Sequence, residues 1–395
     1  MGYRKFKADY LFNGIQLLEG NKVLITNEKG KIIEITDFEM AGDDIQTYSG
    51  IISPGFINAH CHLELSHLKG IIAEKTGLVD FVIKVVTLRH FPEEEILHAI
   101  ALSEKEMLKN GIIAVGDICN NPSTISCKKN SKIDFYNLIE TSGWLPQIAG
   151  KRFHLSKINF DEFLKNNLIA SIVPHAPYSV SDELWKKMKP FFNNKVISIH
   201  NQETKYEDDL FINGKGDFIK MYERLNIDNS FYTAKKMGSV ESYFEKLSTA
   251  SSVILVHNTF TKQEDIDFIN SHKDPEQLIS FCLCPNANLY IENELPPVNL
   301  FLKNDCHIIL GTDSLASNHQ LNILEEMKTI ANSFPEIKLE TMLQWATLNG
   351  AKALQMDDYL GSFEKGKTPG IILIKNIEDG KITFDSEVRN LMAEI

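Results

Sequence analysis

From Ser53 onward the chain alternates short apolar runs with longer amphipathic ones, and no other feature constrains the fold as strongly. The runs GFINAHCH, GIIAVGDI, KIDFYNLIE, LIASIVPHA, KVISIHNQE, SVILVHN, LISFCLC and HIILGTDS read as eight strands. Helical stretches lie between them. One is EEEILHAIALSEKEMLKNG, whose Ile96, Ile100 and Met107 fall near helical spacing before Gly111 closes it. Strands alternating with helices build a parallel sheet, and eight such units predict an α/β fold, a closed (β/α)8 TIM-type barrel over residues 53–360.

The ends of the chain read differently. Residues 1–52 contain YLFNGIQLLE, NKVLITN and GKIIEITD, which are Ile-, Leu- and Val-rich strands separated by turn residues. Residues 361–395 return to strand-like text punctuated by Gly and Pro. The two segments are expected to pack together as a small β-sandwich domain. At 395 residues the chain is long enough for a barrel with such an appendage. No low-complexity tract and no repeat beyond the βα alternation is evident.

Composition excludes some classes of partner. Lys and Arg number 41 against 53 Asp and Glu, a formal charge of −12, which disfavours nucleic acid and anionic membrane surfaces. The six cysteines, at 61, 119, 127, 282, 284 and 306, follow no disulfide framework and read as reduced thiols of a cytosolic protein. Cys282 and Cys284 alternate on a strand, a pattern that suits two small core residues better than a metal site. The stretch MGYRKFKADYLFNG lacks a signal-peptide core, Phe6 breaks the myristoylation pattern, and no run reaches membrane-spanning length. A soluble, cytoplasmic protein is expected.

Chemistry gathers at the strand ends. His60 and His62 sit two apart at the end of the first strand, His175 ends the fourth, His200 the fifth and His257 the sixth, and Asp313 follows the eighth. Residues two apart on a strand share a face, and a barrel collects the C-terminal ends of its strands on one mouth. A single histidine there is ordinarily a packing residue; six polar groups converging on one mouth point to a metal site. Imidazoles with one carboxylate suit a borderline divalent cation, with zinc preferred to iron. His60, His62, His200 and Asp313 are assigned as ligands of one such ion, leaving a position for water. Glu203 lies three residues after His200, so it reaches the mouth only if the chain turns there. In that case it is a proton shuttle, and otherwise a solvated loop acid.

The text PGFINAHCHLELSHLKG, VPHAPYSVS, ISIHNQET, LVHNTF, CPNANLYI, GTDSLASN and ATLNGAKALQMDDYLGSFEKGK resembles the amidohydrolase superfamily. The likeness is to its mononuclear-metal branch of aminohydrolases and chlorohydrolases, and it runs in order along nearly the whole chain. The resemblance implies that His60, His62, His200 and Asp313 hold the metal. It also implies that Glu203 protonates a ring nitrogen, His257 orients the attacking hydroxide, and Asp313 accepts the water's proton. Hydroxide would attack an amidine-like ring carbon and ammonia would leave. The fourth strand ends SIVPHAPYS without the lysine that two-metal members carry, which favours a deaminase over a cyclic amidase.

The stretches HLELSHLKG, TGLVDFVIKVVTLR and GTDSLASN are similar to aminodeoxyfutalosine deaminases, and deaminases of S-adenosylhomocysteine and methylthioadenosine share much of this text. The implied substrate is a small heterocycle, with aminodeoxyfutalosine or another adenosine derivative first. Chloride release or cleavage of a different C–N bond at the same site is the alternative, and a non-catalytic barrel scaffold lies outside that class. His175 is a candidate contact to ribose or base, and Glu64 opens a loop over the substrate. His67 in that loop is assigned either a loop hydrogen bond or a substrate contact. Arg89 and Arg152 are candidate partners for a substrate carboxylate, against the plainer alternative of a surface ion pair. Asn286 and Ala287 replace the family's frequent Arg-Ser, and Pro369 and Gly370 replace an acidic residue. A homodimer is expected from family habit.

Overall fold

The computed structural model describes residues 2–378 and 380–392. The expected terminal segments 1–52 and 361–395 also include Met1, Asp379 and residues 393–395, which lie outside the described residues. All eight expected strands form: β1 (Phe56–Cys61), β2 (Ile112–Cys119), β3 (Asp134–Thr141), β4 (Ala170–Pro174), β5 (Val196–Asn201), β6 (Ser252–His257), β7 (Leu278–Leu283) and β8 (His307–Leu310). They pair in parallel as two four-stranded sheets, β1 to β4 and β5 to β8, each in sequence order. Nearly every residue of these strands is buried, which is why they read as continuous apolar runs rather than as alternation.

The two sheets meet at both margins. His200 N–H donates to His175 O (2.9 Å) where β5 follows β4, and the N–H groups of Thr312 and Asp313 donate to His60 O (3.0 and 3.1 Å) where β8 returns to β1. Cys61 and Asp313 form a parallel bridge at the second margin. β8 stops three residues short of Asp313. Gly311 permits the close approach there, since a Cβ on it would lie 2.9 Å from both His60 Cβ and Cys282 Sγ.

Ile57, Val115, Leu138, Ile199, Val256 and Ile309 belong to the large apolar core shared by strands and surrounding helices. Full burial of one such side chain stabilises the fold by about 1.5–3 kcal/mol. A second apolar cluster lies over the strand ends. It joins Leu78 and Phe81 of the helix Leu78–Leu88, Phe218 and Tyr222 of the helix Asp217–Arg224, and Trp144 and Tyr178.

The chain ends also come together. Ile51–Ser53 pairs antiparallel with Ile372–Glu378, in a five-stranded sheet that adds Tyr10–Phe12, Leu17–Glu19 and Lys381–Asn390. A four-stranded sheet of Tyr3–Lys7, Lys22–Asn27, Ile32–Asp37 and Ile45–Thr47 shares an apolar cluster with it, through Phe6, Leu24, Ile52 and Leu373. The strands YRKFK and IQT escaped the sequence reading because they are short and largely polar. The strand Ile51–Ser53 crosses the expected boundary between residues 52 and 53. All six cysteines are free thiols. No helix among the described residues is long and apolar enough to cross a membrane.

Candidate active site

β1 carries His60, and His62 follows one residue past the strand's end, so both side chains reach one cluster. Their Nε2 atoms are 3.2 Å apart, and Asp313 Oδ1 lies 3.5 Å from His60 Nε2 and 3.3 Å from His62 Nε2. The His200 ring centroid is 5.0 Å from that of His60, and His257 stacks on His200 at 5.4 Å. Ligand atoms of His60, His200, His257 and Asp313 all fall within 4.8 Å of one another, and so do those of His62, Glu140 and His200. The four expected ligands are thus spread over two overlapping groups, with His257 added to one and Glu140 to the other.

Hydrogen bonds fix the tautomers. His200 Nδ1 lies 2.8 Å from His175 O, and a carbonyl only accepts, so Nδ1 carries the proton and Nε2 keeps its lone pair. Likewise His257 Nδ1 donates to Asn288 Oδ1 (2.7 Å), and its buried Nε2, 3.5 Å from Glu203 Oε1, has no hydrogen-bond partner among the described residues. Burial pushes His62 below its ordinary value, drives His200 far down with help from His175 and His60, and lowers His257 to about 4. These rings are neutral at pH 7. For Asp313, burial works upward, but the His60 hydrogen bond and the neighbouring His62 and His257 outweigh it and hold the carboxyl well below the usual range. Neutral nitrogens beside an ionised carboxylate are the donor set that zinc or iron(II) accepts, so these residues fit the ion.

Three backbone positions shape this floor. Gln202, His257 and Asp313 have φ of +45°, +74° and +56°, in the left-handed region that non-glycine residues seldom enter. The reversal at Gln202 resolves the odd spacing of Glu203, whose side chain faces His257 instead of the opposite side of the strand. Glu203 is buried, and that burial, with the nearby charges of Asp313 and Glu207, raises its carboxyl well above the ordinary range. Its backbone N–H donates to Glu207 Oε1 (3.0 Å). On the other side, Asp117 Oδ1 accepts the N–H of Leu63 (2.8 Å), the residue after His62, and Asp117 Oδ2 pairs with Lys128 Nζ at 2.5 Å with both side chains fully buried.

Above the floor is a cavity of about 450 Å³. Its walls include Glu64, Glu140, His175 and Tyr178, and its apolar lining includes Phe81, Val82, Trp144, Met221 and Tyr222. Trp144 stacks on Tyr222 with centroids 5.1 Å apart. Arg89 and Arg152, both exposed, line it as well, and neither makes an ion pair among the described residues. Arg152 donates to Ser142 O (2.5 Å) and Ser142 Oγ (2.8 Å); burial, then the nearby Arg89 charge, holds it below its ordinary value. Glu64 is buried and its carboxyl rises to about 7 through desolvation. His67 instead donates from Nε2 to Arg89 O (3.1 Å) and stands against Phe91, so the loop-bond alternative is the one formed.

Sequence reasoning missed Glu140, Asn120, Asn288 and Ser317, whose hydroxyl donates to Asp313 Oδ2. Glu140 had a usable signal. It is an acid at the C-terminal end of the apolar run KIDFYNLIE, the same placement that singled out His175. Asn288 had none, because only the fold brings the helix Pro285–Ile291 beside β6.

Residues 51–393 match the model of the Amidohydrolase family, and the chain belongs to that family. Among curated relatives, a 5'-deoxyadenosine deaminase of Methanococcus vannielii is 27% identical, over 93% of this chain and 84% of its own. A 5-methylthioadenosine/S-adenosylhomocysteine deaminase of Saccharophagus degradans is 26% identical over 82% and 71%. Helicobacter pylori aminofutalosine deaminase, solved with methylthio-coformycin, superposes with a TM-score of 0.80 at 23% identity over 96% of this chain and 93% of that one. An atrazine chlorohydrolase of Arthrobacter aurescens complexed with zinc gives 0.72 at 16% identity over 93% and 86%. These structural likenesses establish a shared fold.

Proposed function

We propose that the protein is a metal-dependent hydrolytic deaminase of an adenosine derivative. In this reading the two parallel sheets form one (β/α)8 barrel and the two terminal sheets one β-sandwich. The observation that carries it is Glu203, a buried carboxyl whose pKa that burial raises, 3.5 Å from the unprotonated Nε2 of His257 at the edge of the histidine–aspartate cluster. His60, His62, His200 and Asp313 would hold one divalent cation, zinc before iron. When bound, such an ion lowers the pKa of a coordinated water to about 7.

The chain's own groups do the rest. Asp313, ionised, accepts the water's proton; His257, held by Asn288, orients the nucleophile; Glu203 gives its proton to the ring nitrogen. A C–O bond forms at the amidine carbon, Asp313 passes the water's proton to the amino group, the new hydroxyl gives its proton to Glu203, and the C–N bond breaks to release ammonia. His175 and Glu64 contact the sugar or base. The apolar lining of Phe81, Trp144 and Tyr222 suits a planar ring, and Arg89 with Arg152 suits a carboxylate on the substrate's far end. The names of the relatives support an adenosine derivative, and the arginine pair puts aminodeoxyfutalosine first.

The test is ammonia release by the metal-loaded protein from aminodeoxyfutalosine, S-adenosylhomocysteine, methylthioadenosine, 5'-deoxyadenosine and adenosine. Turnover of at least one is expected, with the carboxylate-bearing members preferred. Silence on all five, or release of chloride from a chlorinated triazine instead, rejects the reading.

A further inference from the structure

Glu64 and Glu140 both line the cavity, and the hydrogen bonds that pin them fall on one oxygen of each. The backbone N–H of Asn120 and Nδ2 of Asn121 donate to Glu64 Oε2 (3.0 and 2.8 Å), while Nδ2 of Asn120 donates to Glu140 Oε2 (2.9 Å). Asn120 therefore sets the spacing of the two carboxylates. Glu140 Oε1 has no hydrogen-bond partner among the described residues, although its side chain is only 7% exposed. The hydroxyl of Tyr178, on the same cavity, is likewise buried and unpartnered. Most buried polar atoms in native proteins are matched, so an unmatched carboxylate oxygen on a cavity wall offers a position for a ligand's donor.

We infer that Glu64 and Glu140 are an acceptor pair for a vicinal diol, the two ring hydroxyls of a ribose. This rests on the nucleoside reading above. Two carboxylates clamped by one asparagine select a ligand with two adjacent donors, and a diol supplies them without a charge. The competing occupant is a second cation, since Glu140 also lies near His62 and His200. Arg89 and Arg152 line the same cavity and oppose further positive charge there.

The experiment takes the nucleoside turned over fastest in the panel above and its 2',3'-dideoxy form, with metal-loaded wild type, Glu140→Gln and Asn120→Ala. Wild type should prefer the ribonucleoside by at least about 10²-fold in kcat/KM, because a site built to bond a hydroxyl rejects the analogue that lacks it. Glu140→Gln should lose most of that preference, with KM for the ribonucleoside raised about tenfold or more and the dideoxy substrate little changed. Asn120→Ala, which removes the clamp and leaves both carboxylates, should lower the preference in the same direction. Equal turnover of both nucleosides by wild type, or an equal loss on both in Glu140→Gln, overturns the pair. Loss of bound metal in Glu140→Gln assigns the oxygen to a cation and overturns it too. If no nucleoside releases ammonia, the deaminase reading fails separately, and calorimetric binding of adenosine against dideoxyadenosine still decides whether the diol is read.

Discussion

The floor and the roof of the cavity are built on opposite principles. The floor hangs from strand ends: His60, His200 and His257 belong to β1, β5 and β6 and are almost fully buried, and hydrogen bonds to His175 O and Asn288 lock His200 and His257. The roof is carried by helices inserted after β1 and β5, joined at the surface by an ion pair between Arg224 and Asp80 whose side chains are about half exposed. Floor positions tolerate little, because a metal site needs fixed ligands. Roof positions can vary with the substrate while the chemistry below stays the same, which is how one fold serves many specificities.

If that contrast is right, perturbing the floor should be far more damaging than perturbing the roof. The largest effect belongs to Asp313→Ala, which should remove both bound metal and turnover, as metal analysis and an ammonia assay would report; full activity in it would undo the assignment. Glu203→Gln comes next. It should lower kcat about 10²–10⁴-fold while metal content stays near wild type, since the residue moves a proton and holds no ion. In wild type, kcat should also fall as pH rises through the raised pKa of Glu203, because only the protonated carboxyl can donate.

Lys128→Met probes the support beneath the floor. Stripping the cation from a buried ion pair leaves Asp117 charged and unpaired, which costs about 3–5 kcal/mol and should appear in denaturant unfolding. An unfolding midpoint equal to wild type would mean that Asp117 finds another partner. Asn288→Ala should cost about 10–100-fold in kcat with KM little changed, as expected when an orienting hydrogen bond to a site histidine is lost. At the bottom of the scale, Arg224→Ala in the roof should change stability by about 1 kcal/mol or less, the ordinary value of an exposed pair. A drop as large as that of Lys128→Met would erase the distinction between the two regions.

The sequence, taken alone, determined the eight apolar strands, their parallel order and the polar residues at their C-terminal ends. These are local consequences of period and burial: a strand covered on both faces must be apolar, so a histidine or acid at its end stands out, as His175, His200 and His257 do. Tertiary structure alone decided how those ends meet. The reversal at Gln202 turned Glu203 inward, Asn288 arrived from another helix to hold His257, and Asn120 clamped Glu64 and Glu140 into one pair. His67 shows the same limit: the sequence left it between a loop hydrogen bond and a substrate contact, and it ended on a backbone carbonyl in the loop. Spacing along a chain fixes which face a residue takes only while the element continues, and each of these outcomes depends on a contact made after the element has ended.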